Sequence, residues 1–312
     1  MANGEMIKQD DSLWKCMVED LFPDFIRFFY PKDCGTFDLR HFDFLDKELQ
    51  KMFPDIETAT DRRFVDKLVK ARRTNGKEEW TLVHIEIQGY PDEQFSERMF
   101  TYWTRLRDRY KQPVTAIAIF TDANNRIPDH FEIGVLGTRL EYHYNAYRVC
   151  EQPEYQLRES KNPFALIVLA ARIALFDGQV TDSELMIRYE WIYRALEGIE
   201  LPDRKKQAIH AFLSGCVHFA DSKTYSTFNK ELKAITGKSN VMGTQEYLKA
   251  KGREEGREEG LEEGREEGRK EEKVLLVKSL LASNQFTIAQ ISDFVKVSQD
   301  FVREIEEGVM VE

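Results

Sequence analysis

Twenty residues separate Asp66 from Glu86, and both are carboxylates that strand alternation would turn to one face of a sheet. Glu86 lies inside Trp80-Thr81-Leu82-Val83-His84-Ile85-Glu86-Ile87-Gln88, a run apolar enough that a charge within it calls for a bound partner. Two carboxylates converging on an apolar surface repel unless a cation lies between them, and a hard divalent ion, Mg²⁺ or Mn²⁺, suits their oxygens. Beside basic segments, such an ion implies phosphodiester hydrolysis, in which metal polarises phosphate and activates water. Glycoside hydrolysis also uses two carboxylates but leaves the clustered cations unexplained.

Those cations are local. The chain of 312 residues carries a formal net charge of −10, which argues against non-specific coating of nucleic acid. Residues 61–73 nevertheless hold six basic side chains against two acidic ones, a net of +4. Residues 97–111 hold five against two, a net of +3. The alternative for both segments is a solvated strand end and an exposed helix face.

Several elements must position these groups. Residues 62–70 and 80–88 read as strands joined by the turn-like Thr74-Asn75-Gly76-Lys77, so a hairpin is expected. Phe64, Asp66, Leu68 and Lys70 then share one face of the first strand, and Leu82, His84, Glu86 and Gln88 one face of the second. Helical spacing runs from Leu13 to Phe29, interrupted at Pro23, and again from Phe95 to Tyr110. Strands are expected over Val114 to Thr121 and near Arg139 to Val149, completing a mixed α/β module over residues 1–150. Residues 151–250 read as a helical subdomain, with helices over Phe164 to Leu175, Ser183 to Leu196 and Arg204 to Phe219.

Residues 251–272 change character. Gly252, Gly256, Gly260, Gly264 and Gly268 recur every fourth position, with Arg-Glu-Glu between most of them. In a helix of 3.6 residues per turn this stripe spirals slowly, and each glycine costs roughly 1 kcal/mol relative to alanine. The segment reads either as a charged flexible or frayed helical linker or as a helical stalk that associates with other copies. Residues 273–312 form a small helical tail. Its Thr287-to-Val302 stretch has helix-turn-helix spacing, but the second helix is acidic, through Asp300, Glu304, Glu306 and Glu307, and a DNA-reading helix must meet phosphates.

With 42 % apolar residues the chain can bury a substantial core. Cys16, Cys34, Cys150 and Cys216 are scattered without a C-x-x-C pair, so neither a disulfide framework nor a structural zinc site is expected. No apolar run approaches the roughly 20 residues that span a bilayer, and the acidic start lacks signal-peptide features; a cytoplasmic location without membrane contact is expected.

Arg62-Arg63-Phe64-Val65-Asp66-Lys67-Leu68-Val69-Lys70, Val83-His84-Ile85-Glu86-Ile87-Gln88-Gly89, Arg98-Met99-Phe100-Thr101-Tyr102 and Ala118-Ile119-Phe120-Thr121-Asp122 together resemble the Rpn/YhgA-like recombination-promoting nucleases and transposase-like proteins. These form a branch of the PD-(D/E)XK nuclease superfamily. The resemblance covers roughly residues 12–150, and the glycine repeat with its helical tail resembles that family's common ending. It implies a restriction-endonuclease-like mixed sheet flanked by helices, and a Mg²⁺- or Mn²⁺-dependent DNA endonuclease linked to recombination or transposition. Asp66 and Glu86 would hold the metal with the main-chain carbonyl of Ile87, and Gln88 would take the place usually held by lysine. Glu19 would match an acidic residue supporting a second ion, and Arg98 would face the scissile phosphate. Arg62, Arg63 and Lys67 are the expected nucleic-acid contacts. Because Gln88 carries no charge, positive charge at the transition state must come from Lys70, Lys67, Arg98 or the metal, and Lys70 is the expected substitute. Two active sites are needed for double-strand cutting, so a homo-oligomer is expected. The rival expectation is a catalytically silent scaffold or nucleic-acid-binding protein on the same fold.

Overall fold

The computed structural model describes residues 12–52, 65–74, 79–123, 126–237 and 243–308. Two compact units divide the chain, residues 1–247 and 248–312.

The first unit is built on a five-stranded mixed sheet of order β1-β2-β3-β4-β7. Its strands are β1 (Phe37–Phe44), β2 (Val65–Arg73), β3 (Trp80–Gln88), β4 (Val114–Phe120) and β7 (Asn145–Arg148). β1, β2 and β3 pair antiparallel, whereas β4 joins β3, and β7 joins β4, in parallel. β5 (His130–Val135) and β6 (Thr138–His143) form a separate two-stranded sheet. β3 is central, and every residue from Thr81 to Gln88 is buried, which explains its nearly continuous apolar run.

Each face of β3 has its own cover. The even-numbered side chains lie under α4 (Phe95–Tyr110), whose Met99, Tyr102 and Leu106 recur at helical spacing. Leu68, Leu82, Tyr102 and Leu106 form one cluster there, and Phe95, Met99, Ala116 and Ala118 belong to the next. α4 ends where Lys111 adopts a left-handed conformation, φ 53°, and its N–H donates to the Arg107 carbonyl. The odd-numbered face meets α1 (residues 12–20) and α2 (Phe22–Phe29). Contacts on that side run from Phe22 to Phe42 and Phe44, from Phe29 to Tyr147 and from Tyr30 to Thr115. α3 (Asp46–Met52) follows β1, and its Leu49 packs with Leu68.

The helices after the sheet are α5 (Glu154–Glu159), α6 (Phe164–Ala174), α7 (Asp182–Glu197), α8 (Asp203–Cys216) and α9 (Ser222–Thr236). α6 is buried almost all round, and Phe164 meets the rings of Trp14, Phe25, Phe28 and Phe29. Asn162 and Lys205 both bind Asp24, through its carbonyl and its carboxylate respectively. The helical part thus shares its core with α1 and α2, and position 150, the boundary read from sequence, lies inside the first unit.

α10 (Thr244–Ala282) runs unbroken through the glycine repeat of residues 251–272. A Cβ added at any of the five repeat glycines meets nothing within 4 Å. α11 (Ile288–Val295) opens with a Thr287/Gln290 capping box, and α12 (Gln299–Glu306) with Ser298 as its cap. Val277, Ile291, Val295, Val302 and Ile305 close a small core. Among the described residues, no helix is long and apolar enough to cross a membrane.

Candidate active site

The β2–β3 register places Asp66 directly opposite Glu86, Leu68 opposite His84 and Lys70 opposite Leu82. On its other side Glu86 neighbours Ala118 of β4, which packs with Phe95 and Met99 of α4. The Glu86 carboxylate is 0 % exposed. A charge in such a position is retained only when cations or hydrogen-bond donors compensate its lost hydration.

Arg98 of α4 supplies that compensation. Its Nε lies 3.6 Å from Glu86 Oε1, one terminal nitrogen donates to Gln88 Oε1 at 3.3 Å, and another pairs with Asp92. The stem stacks over Phe95, with the guanidinium carbon 5.0 Å from the ring centroid. Gln88 in turn donates its amide to the Tyr90 carbonyl at 2.6 Å. One arginine therefore ties two residues of the central strand to the loop after it. Next along the same face, His84 is buried with its ring 5.0 Å from that of Tyr102, edge on.

The other expected residues are dispersed. Lys67, on the opposite face, is 2 % exposed and pairs with Glu19 of α1 and Asp46 of α3. Asp46 also accepts from the Leu68 N–H at 3.1 Å, fastening the start of α3 to the edge of β2. Glu19 and Lys67 are thus engaged with each other across the sheet from Glu86. Lys70 is four residues from Asp66, roughly 13 Å along an extended strand. Its ammonium sits 4.2 Å from the Trp80 ring centroid, a cation–π contact at the far end of the hairpin. Ile87 is buried between Glu86 and Gln88 with its side chain on the α1 face. Arg62 and Arg63 lie outside the described residues.

Positive charge collects instead at the end of β2. A cleft of about 810 Å³ is lined by Arg27, Arg40, His41, Arg72 and Arg73, with Asp38 among them. A hydrogen bond from His41 holds the Asp38 carboxyl down at about 2. Arg72 and Arg73 belong to the basic segment legible in the sequence. Arg27 and Arg40 reach it only through the fold.

Sequence reasoning missed Asp92. Its signal was its position six residues before Arg98, just ahead of the helix that carries that arginine. It also missed a group formed by Asp129, His130 and His143, whose donor atoms lie within 4.8 Å of one another. His130 and His143 are equidistant from the Leu136-Gly137 turn, so assigning β5 would have paired them. Comparisons with protein families, with curated proteins and with solved structures give no match.

Proposed function

We propose that this protein is a metal-dependent endonuclease that hydrolyses phosphodiester bonds at the Asp66–Glu86 position. The observation that carries the reading is a fully buried glutamate on the central strand, in register with an aspartate and compensated by one arginine. The reading is supported by the order of elements, in which antiparallel β1, β2 and β3, with α3 between the first two, are followed by α4 and by β4 parallel to β3.

The donor set fits a hard divalent ion. Glu86, Asp66 and the Ile87 carbonyl offer oxygen only, which favours Mg²⁺ or Mn²⁺ over softer metals. Bound there, the ion would polarise the phosphate and lower the pKa of the attacking water. Gln88 cannot supply the charge that lysine supplies in the family pattern, but it holds Arg98, which can. Arg98 is the residue we assign to the developing charge on phosphate, in place of Lys70, because a planar fork matches phosphate oxygens and Lys70 is held by Trp80. The arginine-lined cleft offers a second set of cations for the phosphate backbone.

A second reading rests on the same arginine. Arg98 already compensates Glu86 without any metal, as it would in a silent scaffold that keeps the fold for binding. Supercoiled plasmid incubated with the full chain in Mg²⁺, Mn²⁺ or EDTA separates the two. Nicking that requires metal and disappears in Asp66→Ala supports the nuclease; DNA binding without cutting under either metal supports the scaffold.

A further inference from the structure

The hairpin of β5 and β6 carries a second set of chemical groups, remote in character from the first. His130 and His143 face each other across the two strands. Their ring centroids are 5.2 Å apart, with the planes tilted by 32°. Asp129 stands beside them, its Oδ1 3.0 Å from His130 Nδ1. The Tyr144 N–H donates to the Asp129 carbonyl at 3.1 Å, so both ends of the set are fixed by the hairpin's base. Glu141 Oε1 lies 2.8 Å from His143 Nε2, and Glu141 is also within 3.7 Å of Arg139.

The plain alternative is two separate histidine–carboxylate pairs on an exposed hairpin. Convergence argues against it. Two imidazolium rings at this spacing repel each other, whereas two neutral rings and a carboxylate converge without penalty on a shared cation. Nitrogen donors with one carboxylate suit zinc-class ions, which bind at about 2.0–2.2 Å, and they discriminate against Mg²⁺, which prefers oxygen and water. The separation of donor atoms, at most 4.8 Å, requires only small side-chain torsions to close around such an ion.

We infer that Asp129, His130 and His143 bind a divalent transition-metal ion of the zinc class. Glu141 orients the His143 ring by accepting its hydrogen bond, the usual support for a metal-bound imidazole. Three protein ligands leave one tetrahedral position for water. The ion ties β5 to β6, a two-stranded sheet of a kind that is marginal on its own. Phe131 and Tyr142 carry this sheet against Phe100 and Trp103 of α4. The site is independent of the Glu86 centre, whose all-oxygen donors suit a different ion.

The test is calorimetric titration of the chelator-stripped full chain with Zn²⁺, in the presence of excess Mg²⁺, alongside Co²⁺ absorption in the visible. His130→Ala and His143→Ala are compared with wild type, and Asp129→Asn serves as a milder third variant; far-ultraviolet circular dichroism checks that each is folded. We expect one Zn²⁺ per chain, a tetrahedral Co²⁺ band, and affinity at least about tenfold weaker in each histidine variant. Failure of wild type to take up Zn²⁺, or equal uptake by the folded variants, overturns the assignment. Plasmid cutting is not the readout, so the site stands or falls apart from the nuclease reading.

Discussion

Arg98 Nε lies 3.6 Å from the Oε1 of Glu86, and this contact brings a helix-borne cation to a carboxylate fully buried in the central strand. The same guanidinium meets Gln88 and Asp92. One side chain therefore contributes to charge compensation, to the position of the loop and to the orientation of the Gln88 amide.

Arg98→Ala should destabilise the fold by about 3–5 kcal/mol, because it removes a cation from beside a buried carboxylate. Chemical denaturation measures this. Mn²⁺ should raise the melting temperature of the variant more than that of wild type, since the ion replaces the lost positive charge. Unchanged stability would show that Glu86 does not carry its charge in the fold.

Lys67 and Arg73 should separate structure from nucleic-acid contact. Lys67→Met removes the cation between Glu19 and Asp46 and should cost about 3 kcal/mol, an order expected for breaking a largely buried pair. Arg73→Ala, in the open cleft, should leave stability nearly unchanged and weaken binding to duplex DNA, with the slope of log affinity against log salt falling by about 1. Fluorescence anisotropy across a salt series reads the second effect; an unchanged slope removes the cleft from the binding surface.

The repeat glycines should tolerate alanine within the chain itself. Gly256→Ala and Gly260→Ala place a Cβ in open space, so each should stabilise α10 by about 1 kcal/mol, seen as a higher melting point of the helical signal. Sedimentation of the same variants tests the proposed homo-oligomer. If copies pack along the glycine stripe, alanine weakens their association even as it strengthens the helix; an unaltered mass distribution places the contact elsewhere.

Acid should act on the β5–β6 hairpin in a defined direction. The hydrogen bond from His130 lowers the Asp129 carboxyl from its ordinary value, and that from His143 lowers Glu141. A depressed carboxyl stabilises the folded form above its unfolded pKa, and this contribution is lost as pH falls through the lower folded value. Carboxyl resonances followed by NMR should show Asp129 titrating below about 3.9, the ordinary range. In His130→Ala it should return there.

Much of the scaffold could be read from the chain because periodicity is strong where burial is one-sided. α4 spans Phe95–Tyr110 as its apolar spacing implies, and the hairpin register follows from alternation about the turn. β1 escaped notice because Asp38, Arg40, His41 and Asp43 interrupt its pattern, and its ladder with β2 shifts between Asp38 and Phe42. β5 escaped although Phe131, Ile133 and Val135 alternate, because the run is short, carries Gly134 and, with Glu132 through Val135 exposed, belongs to no buried face of the main sheet. Lys70 had the correct parity to join Asp66, but parity gives the face and not the distance along the strand. Trp80, two positions before its cross-strand neighbour Leu82, holds the ammonium instead. The link from Gln88 to Arg98 joins a strand to a helix ten residues on, and only tertiary packing reveals it.

The most direct test is the rate of metal-dependent nicking of supercoiled plasmid by wild type and by Glu86→Gln, which preserves shape and removes charge. The account predicts nicking by wild type in Mg²⁺ or Mn²⁺, none in EDTA, and a fall of about 100-fold or more in the folded variant. Nicking by Glu86→Gln at the wild-type rate would contradict it, leaving Glu86 as the structural counter-ion of Arg98.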